Sequence, residues 1–191
     1  MYDRPIAPWE HFPKTLTISE LLNPLKTIKE YFDTGLPKKK FDKIDQWRDF
    51  VLKYDYYNDP KLGPESLLLV YDQNLRFMEA THLFLINQTD LNRLPGRISK
   101  DELKVERREW DYYPITLSDD EIIDPYITLE KCFKGFPPQL YRDHLHEWLH
   151  AALSTQADFD VLPPSEVMAF HECIKRLIDA GWLFKERLNH S

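Results

Sequence analysis

The sequence predicts an all-α fold: two copies of a three-helix unit, a partly helical connector between them, and an extended N-terminal arm. Three observations carry this reading. Apolar residues recur at helical spacing in three segments of each half. Prolines stand where those helices would start, not inside them. Residues 16–53 also match residues 117–154 without a gap at a shift of 101 positions, with nine identities. These are Leu16/Leu117, Glu20/Glu121, Pro24/Pro125, Thr27/Thr128, Phe32/Phe133, Pro37/Pro138, Asp42/Asp143, Trp47/Trp148 and Leu52/Leu153. With one residue dropped from the loop that follows, Pro64/Pro164, Arg76/Arg176, Ala80/Ala180, Leu83/Leu183 and Phe84/Phe184 match at a shift of 100. A unit of about 70 residues buries only a modest core alone, so the copies are expected to pack as one body.

Residues 1–15 hold Pro5, Pro8 and Pro13 between Tyr2, Trp9 and Phe12, and read as an arm pinned by its aromatic side chains. The first repeat is residues 16–87. Asn23-Pro24 sets an N-cap before a proline at the first helical position. Leu25, Ile28 and Phe32 follow on one face, and Gly35 ends the segment. Pro37 opens a second helix with Phe41, Ile44, Trp47, Val51 and Leu52 on one face and Lys38-Lys39-Lys40 as a solvated first turn. Pro64 opens a third, running through Leu67, Val70, Leu75, Met78 and Leu83. Residues 88–116 are the connector. There Ser99 and Glu102 have capping-box spacing, which predicts a short polar helix from about Lys100 to Glu109. The second repeat, residues 117–187, follows the first. The core positions expected to be shared are Trp47 and Trp148, Phe32 and Phe133, Pro24 and Pro125, Leu83 and Leu183, and Phe84 and Phe184.

With 42% hydrophobic and 14% aromatic residues the chain can bury a real core. Only five glycines are present, and none falls in a Walker-type or dinucleotide-binding pattern. The net charge of −7 is uneven: residues 117–184 hold 5 Lys and Arg against 12 Asp and Glu. That balance speaks against a nucleic-acid backbone, which needs clustered cations, and admits a basic protein partner. No stretch approaches the roughly 20 apolar residues of a membrane span. No apolar leader run follows Met1, so a cytoplasmic protein with Cys132 and Cys173 reduced is expected.

One stretch carries catalytic chemistry on paper, His146-Glu147-Trp148-Leu149-His150. On a helix, His146 and His150 share a face and can both ligate zinc, with Glu147 placed to take a proton from a metal-bound water. Over these five residues the chain resembles the zinc metallopeptidases. That resemblance implies a third ligand. The metzincin extension would put Gly at 153 and His at 156, where this chain has Leu153 and Gln156. Glu166, His171 and Glu172 are the other candidates.

The same helix has a core stripe of Leu145, Trp148, Leu149, Ala152 and Leu153. At 100° per residue it turns His146 and His150 to its flank or to solvent. The matching stretch of the first repeat, Asp45-Gln46-Trp47-Arg48-Asp49, keeps the tryptophan and none of the catalytic letters. His144 joins His146 and His150 as an expected exposed cluster, able to take up metal without catalysis.

Arg76 and His82 have the spacing of, and so resemble, the Arg-x(4–6)-His element of HEPN-type ribonucleases. The second repeat keeps Arg176 but has Trp182. The aromatic loops Tyr54, Tyr56, Tyr57 and Trp110, Tyr112, Tyr113 read as anchors on the body or as a partner-binding patch. The expected role is a non-catalytic helical scaffold or protein-interaction module that binds another protein, without cofactor. The alternative is a zinc-dependent hydrolase built on His146, Glu147 and His150.

Overall fold

The computed structural model describes residues 13–53, 57, 63–88, 95–154 and 163–188. Every regular element among them is an α-helix. They are α1 (Ile18–Leu22), α2 (Pro24–Tyr31), α3 (Pro37–Lys53), α4 (Glu65–Ile86), α5 (Lys100–Glu109), α6 (Asp119–Ile123), α7 (Pro125–Gly135), α8 (Pro138–Leu153) and α9 (Pro164–Arg187). Prolines open α2, α3, α7, α8 and α9 as expected, and Pro64 sits one step earlier, at the N-cap of α4. Asn23 and Asp124 cap α2 and α7 by accepting from the backbone N–H of Lys26 and Tyr126. The connector helix has the expected bounds, and its Ser99–Glu102 capping box is formed. No helix among the described residues is long and apolar enough to cross a membrane.

Each half has one helix more than the sequence reading gave. The five-residue helices α1 and α6 start at Thr17 and Ser118, and each closes a capping box with Glu20 or Glu121. Both glutamates are buried and both meet an arginine of the long helix of their own half, Arg76 on α4 and Arg176 on α9. Burial pushes the Glu20 carboxyl up. The hydrogen bonds from the Thr17 hydroxyl and N–H and the Arg76 guanidinium outweigh it, holding the group at about 2.

The halves interlock. α2 packs on α4 and α7 on α9, but α3 crosses to α9 and α8 crosses to α4. α3 and α8 meet through Trp47 and Trp148, whose rings lie edge to face at 5.7 Å. The Trp47 indole N–H donates to the Trp148 carbonyl at 3.0 Å. Phe84 meets Phe184 edge to face at 4.9 Å. Each such ring pair adds about 0.5–1.5 kcal/mol beyond its area burial.

One continuous core takes side chains from both halves. Trp47, Trp148, Phe32, Phe133, Pro24, Pro125, Phe84, Phe184 and Leu183 are buried as expected. Leu83 is only half-buried. The reason is the connector. Leu183 forms a second small cluster with Leu103 of α5 and Ile122 of α6, whereas no described residue supplies the same cover over Leu83.

Two buried acids pin the chain entering each half. Glu79 accepts from the N–H groups of Lys14 and Thr15 and from the Thr15 hydroxyl. Asp179 accepts from the N–H groups of Ile115 and Thr116 and from the Thr116 hydroxyl. The end of the arm is therefore held by a carboxylate. The aromatic pins expected from Tyr2, Trp9 and Phe12 lie outside the described residues.

Candidate functional site

The motif helix α8 is set by its core stripe. Leu145, Trp148 and Ala152 are fully buried, and that fixes the rotation of the helix. His146, Glu147 and His150 consequently stand on its exposed side. The His146 and His150 rings are 6.4 Å apart and inclined by 30°. Among the described residues they line, with Leu149, Leu153 and Ser154, a shallow open depression of about 300 Å³. It is built from one face of one helix and its cap, not from converging elements.

Glu147 does not turn toward the histidine pair. Its Oε2 lies 3.4 Å from Nδ1 of His144, and Oε1 of Glu166 lies 3.3 Å from Nε2 of the same ring. The second approach is too poorly aligned to be a hydrogen bond. His144 is a correction to the sequence reading, which put it on the exposed cluster. It is buried against the rings of Phe136 and Phe170, because the start of α9 closes over this side of α8.

The candidate third ligands are dispersed. Glu166 faces His144, and Glu172 is exposed on α9. His171 is buried, with Nε2 2.6 Å from Asp45 Oδ1 and 3.3 Å from the Arg48 guanidinium. Lys175 completes this cluster at 3.1 Å from Asp45. Burial holds the His171 imidazole below its usual range despite the carboxylate beside it. Burial raises the Asp45 carboxyl, but the hydrogen bonds from His171 and Lys175 outweigh it and hold the group below its usual range. No group of three or more His, Cys, Asp or Glu able to hold a metal ion occurs among the described residues.

The remaining sites resolve one by one. Arg76 is paired with Glu20 while the His82 ring packs edge-on against Phe133, so the two side chains serve different contacts. Trp110, Tyr112 and Tyr113 are half-buried anchors. Tyr112 packs on Trp182 and donates to Asp179 at 2.7 Å, and Trp110 and Tyr113 pack against the Leu103–Ile122–Leu183 cluster. Tyr57 packs on Phe50, and its N–H donates to the Ala152 carbonyl at 2.7 Å. Tyr54 and Tyr56 lie outside the described residues.

Lys40, read from the sequence as part of a solvated turn, is buried. Its ammonium sits 4.2 Å above the Tyr31 ring and donates to the Thr34 hydroxyl. Burial first, then Lys43 and Lys39, brings this amine down to about 8. Its place at the fourth position of α3, one step before core residue Phe41, was the available signal. The buried thiols of Cys132 and Cys173 are both free. Comparison with protein-family models, curated proteins and solved structures finds no match to this chain.

Proposed function

We propose that this protein is a non-catalytic helical interaction module. The observation that supports it is the use of α3 and α8. Each spends its inward face on the Trp47–Trp148 contact across the halves, and the zinc-motif side chains lie outside that contact, directed to different neighbours. A zinc hydrolase buries its ligand set over a cleft with a third ligand converging on the pair. Here His171 is held by Asp45, and Glu166 lies beside His144, away from the His146–His150 pair.

The second half's acidic surface, with Asp119, Asp120, Asp143, Glu147 and Glu172 exposed, suits a basic protein surface. Metal content of tag-free protein, purified without a metal column, tests the first part of the reading. Substoichiometric zinc in wild type and in His150→Ala is expected. About one zinc per chain, lost in the variant, would overturn it in favour of the hydrolase. For the second part, cross-linking in cells should recover basic partners that are lost on Asp143→Lys/Glu147→Lys. Unchanged recovery would remove the acidic face as the contact.

A further inference from the structure

The same surface is treated differently in the two halves. In the second half, α6 presents Ile122 and Ile123 and α9 presents Leu183. All three are covered by the connector through Leu103, Ile98, Trp110 and Tyr113. The counterparts in the first half are Leu21, Leu22 and Leu83. Leu22 is 82% exposed, Leu21 is 37% exposed, Leu83 is half-buried, and Ile18 beside them is 78% exposed. An apolar surface of this kind, covered in one half and left open by the described residues in the other, calls for an occupant.

The chain itself supplies the matching sequence. Trp9-Glu10-His11-Phe12-Pro13-Lys14-Thr15 aligns with Trp110-Asp111-Tyr112-Tyr113-Pro114-Ile115-Thr116 at the same shift of 101. Trp, Pro and Thr are identical, acid matches acid, and Phe12 stands for Tyr113. The two segments also leave from equivalent anchors. Glu79 holds the N–H groups of Lys14 and Thr15 as Asp179 holds those of Ile115 and Thr116. From that anchor Trp9 is as many residues away as Trp110 is from its own, so its reach is the same. The charged part of the connector has no counterpart. The partners of α5 are Asp119 for Arg107 and Arg187 for Glu106, and Ile18 and Asn87 stand in their places. The match is therefore confined to the aromatic segment.

We propose that the face formed by Leu21, Leu22 and Leu83 is the docking site of the chain's own Trp9–Phe12 segment. Trp9 takes there the place that Trp110 takes on Ile122 and Leu183.

Fluorine NMR of the full chain labelled with 5-fluorotryptophan tests this directly. The chain has five tryptophans, and Trp9→Phe identifies the resonance of interest. In wild type the Trp9 signal should sit away from that of an unfolded reference peptide, and Leu22→Asp should move it to the reference position. The resonances of Trp47, Trp110, Trp148 and Trp182 report whether the variant is still folded. If they collapse, Leu22→Ser replaces it, with the same shift expected. A Trp9 signal at the reference position in wild type would overturn the proposal. So would a displaced signal unmoved by either Leu22 variant. A displacement that disappears on dilution would assign the face to a second copy of the chain and overturn docking within one chain.

Discussion

The two buried acids make opposite predictions for the same chemical change. Asp179 carries four hydrogen bonds: Oδ2 accepts from Ile115 N–H, Thr116 N–H and the Thr116 hydroxyl, and Oδ1 accepts from the Tyr112 hydroxyl. All four donors are neutral, and burial holds the carboxyl above its usual range. In Asp179→Asn the amide oxygen can keep the three donors, and the Tyr112 hydroxyl can turn to accept from the amide N–H. The expected change at pH 7 is within about 1 kcal/mol of wild type.

Glu79 differs because Arg142 donates Nε–H to its Oε1 at 2.8 Å while both oxygens also accept backbone N–H groups. In Glu79→Gln the amide nitrogen would face a donor whichever oxygen it replaced. Breaking a buried charge pair costs about 3–5 kcal/mol. The substitution is therefore expected to cost at least about 2 kcal/mol, part being recovered through the amide oxygen. Urea midpoints with an unchanged slope measure both variants. The sign of the pH dependence is fixed as well. With the folded value of Asp179 raised above the unfolded one, the folded state binds the proton more readily. Any advantage of Asp179→Asn is then full at neutral pH, falls as the pH drops through the raised folded value, and is gone below about pH 3, where Asp179 is protonated in both states. Equal losses in the two amide variants would refute the reasoning.

The core offers three further tests. Trp47→Phe removes a buried hydrogen bond to the Trp148 carbonyl, whereas the Trp148 indole N–H has no hydrogen-bond partner among the described residues. Trp47→Phe should therefore cost about 1 kcal/mol more than Trp148→Phe in chemical denaturation. A Cβ at Gly181 would lie 2.6 Å from the Phe77 ring. Overpacking of about 1–3 kcal/mol should outweigh the gain of about 1 kcal/mol in helix propensity, so Gly181→Ala loses stability and Phe77→Leu restores it. Lys40→Met removes a buried amine held at about 8, so it should stabilise by about 1 kcal/mol at pH 7. Lys40 is charged in both states below pH 8, and the folded state alone loses the proton above it. The gain from methionine should thus fade between pH 8 and about 10.5.

Much of the fold was legible because its strongest determinants are local. Prolines at helix starts, apolar faces and the capping box at Ser99 need no long-range knowledge. α1 and α6 were missed although Thr17/Glu20 and Ser118/Glu121 have the same spacing as Ser99/Glu102. Five residues are too few for a periodic face to register. The rotation of α8 was legible too, since the stripe that buries Trp148 also exposes His146 and His150. The fates of His144, His171 and Lys40 were not. Each is buried by a segment distant in sequence or by a loop turn: α9 over His144, α3 against His171, and Thr34 and Tyr31 around Lys40.

Because the halves interlock, positions that match in sequence meet different neighbours. Where α3 crosses to α9, Asp45 reaches His171 and Lys175. At the matching crossing of α8 over α4 those three positions are His146, Tyr71 and Leu75, so the counterpart of the Asp45 cluster is missing there and the histidine is left outside, although Arg142 and Glu79 pair elsewhere on the same two helices. The seam between the long helices is equally unequal. Gly181 yields to Phe77, while its counterpart Thr81 folds its hydroxyl back onto the carbonyls of Phe77 and Met78. A seam with a bulky ring on one side must have a gap on the other. The tryptophan stripe fixes the rotation of α8, and α4 sets no acid or base opposite the position that Asp45 fills in the other half, so packing across the halves places no charge requirement on residue 146.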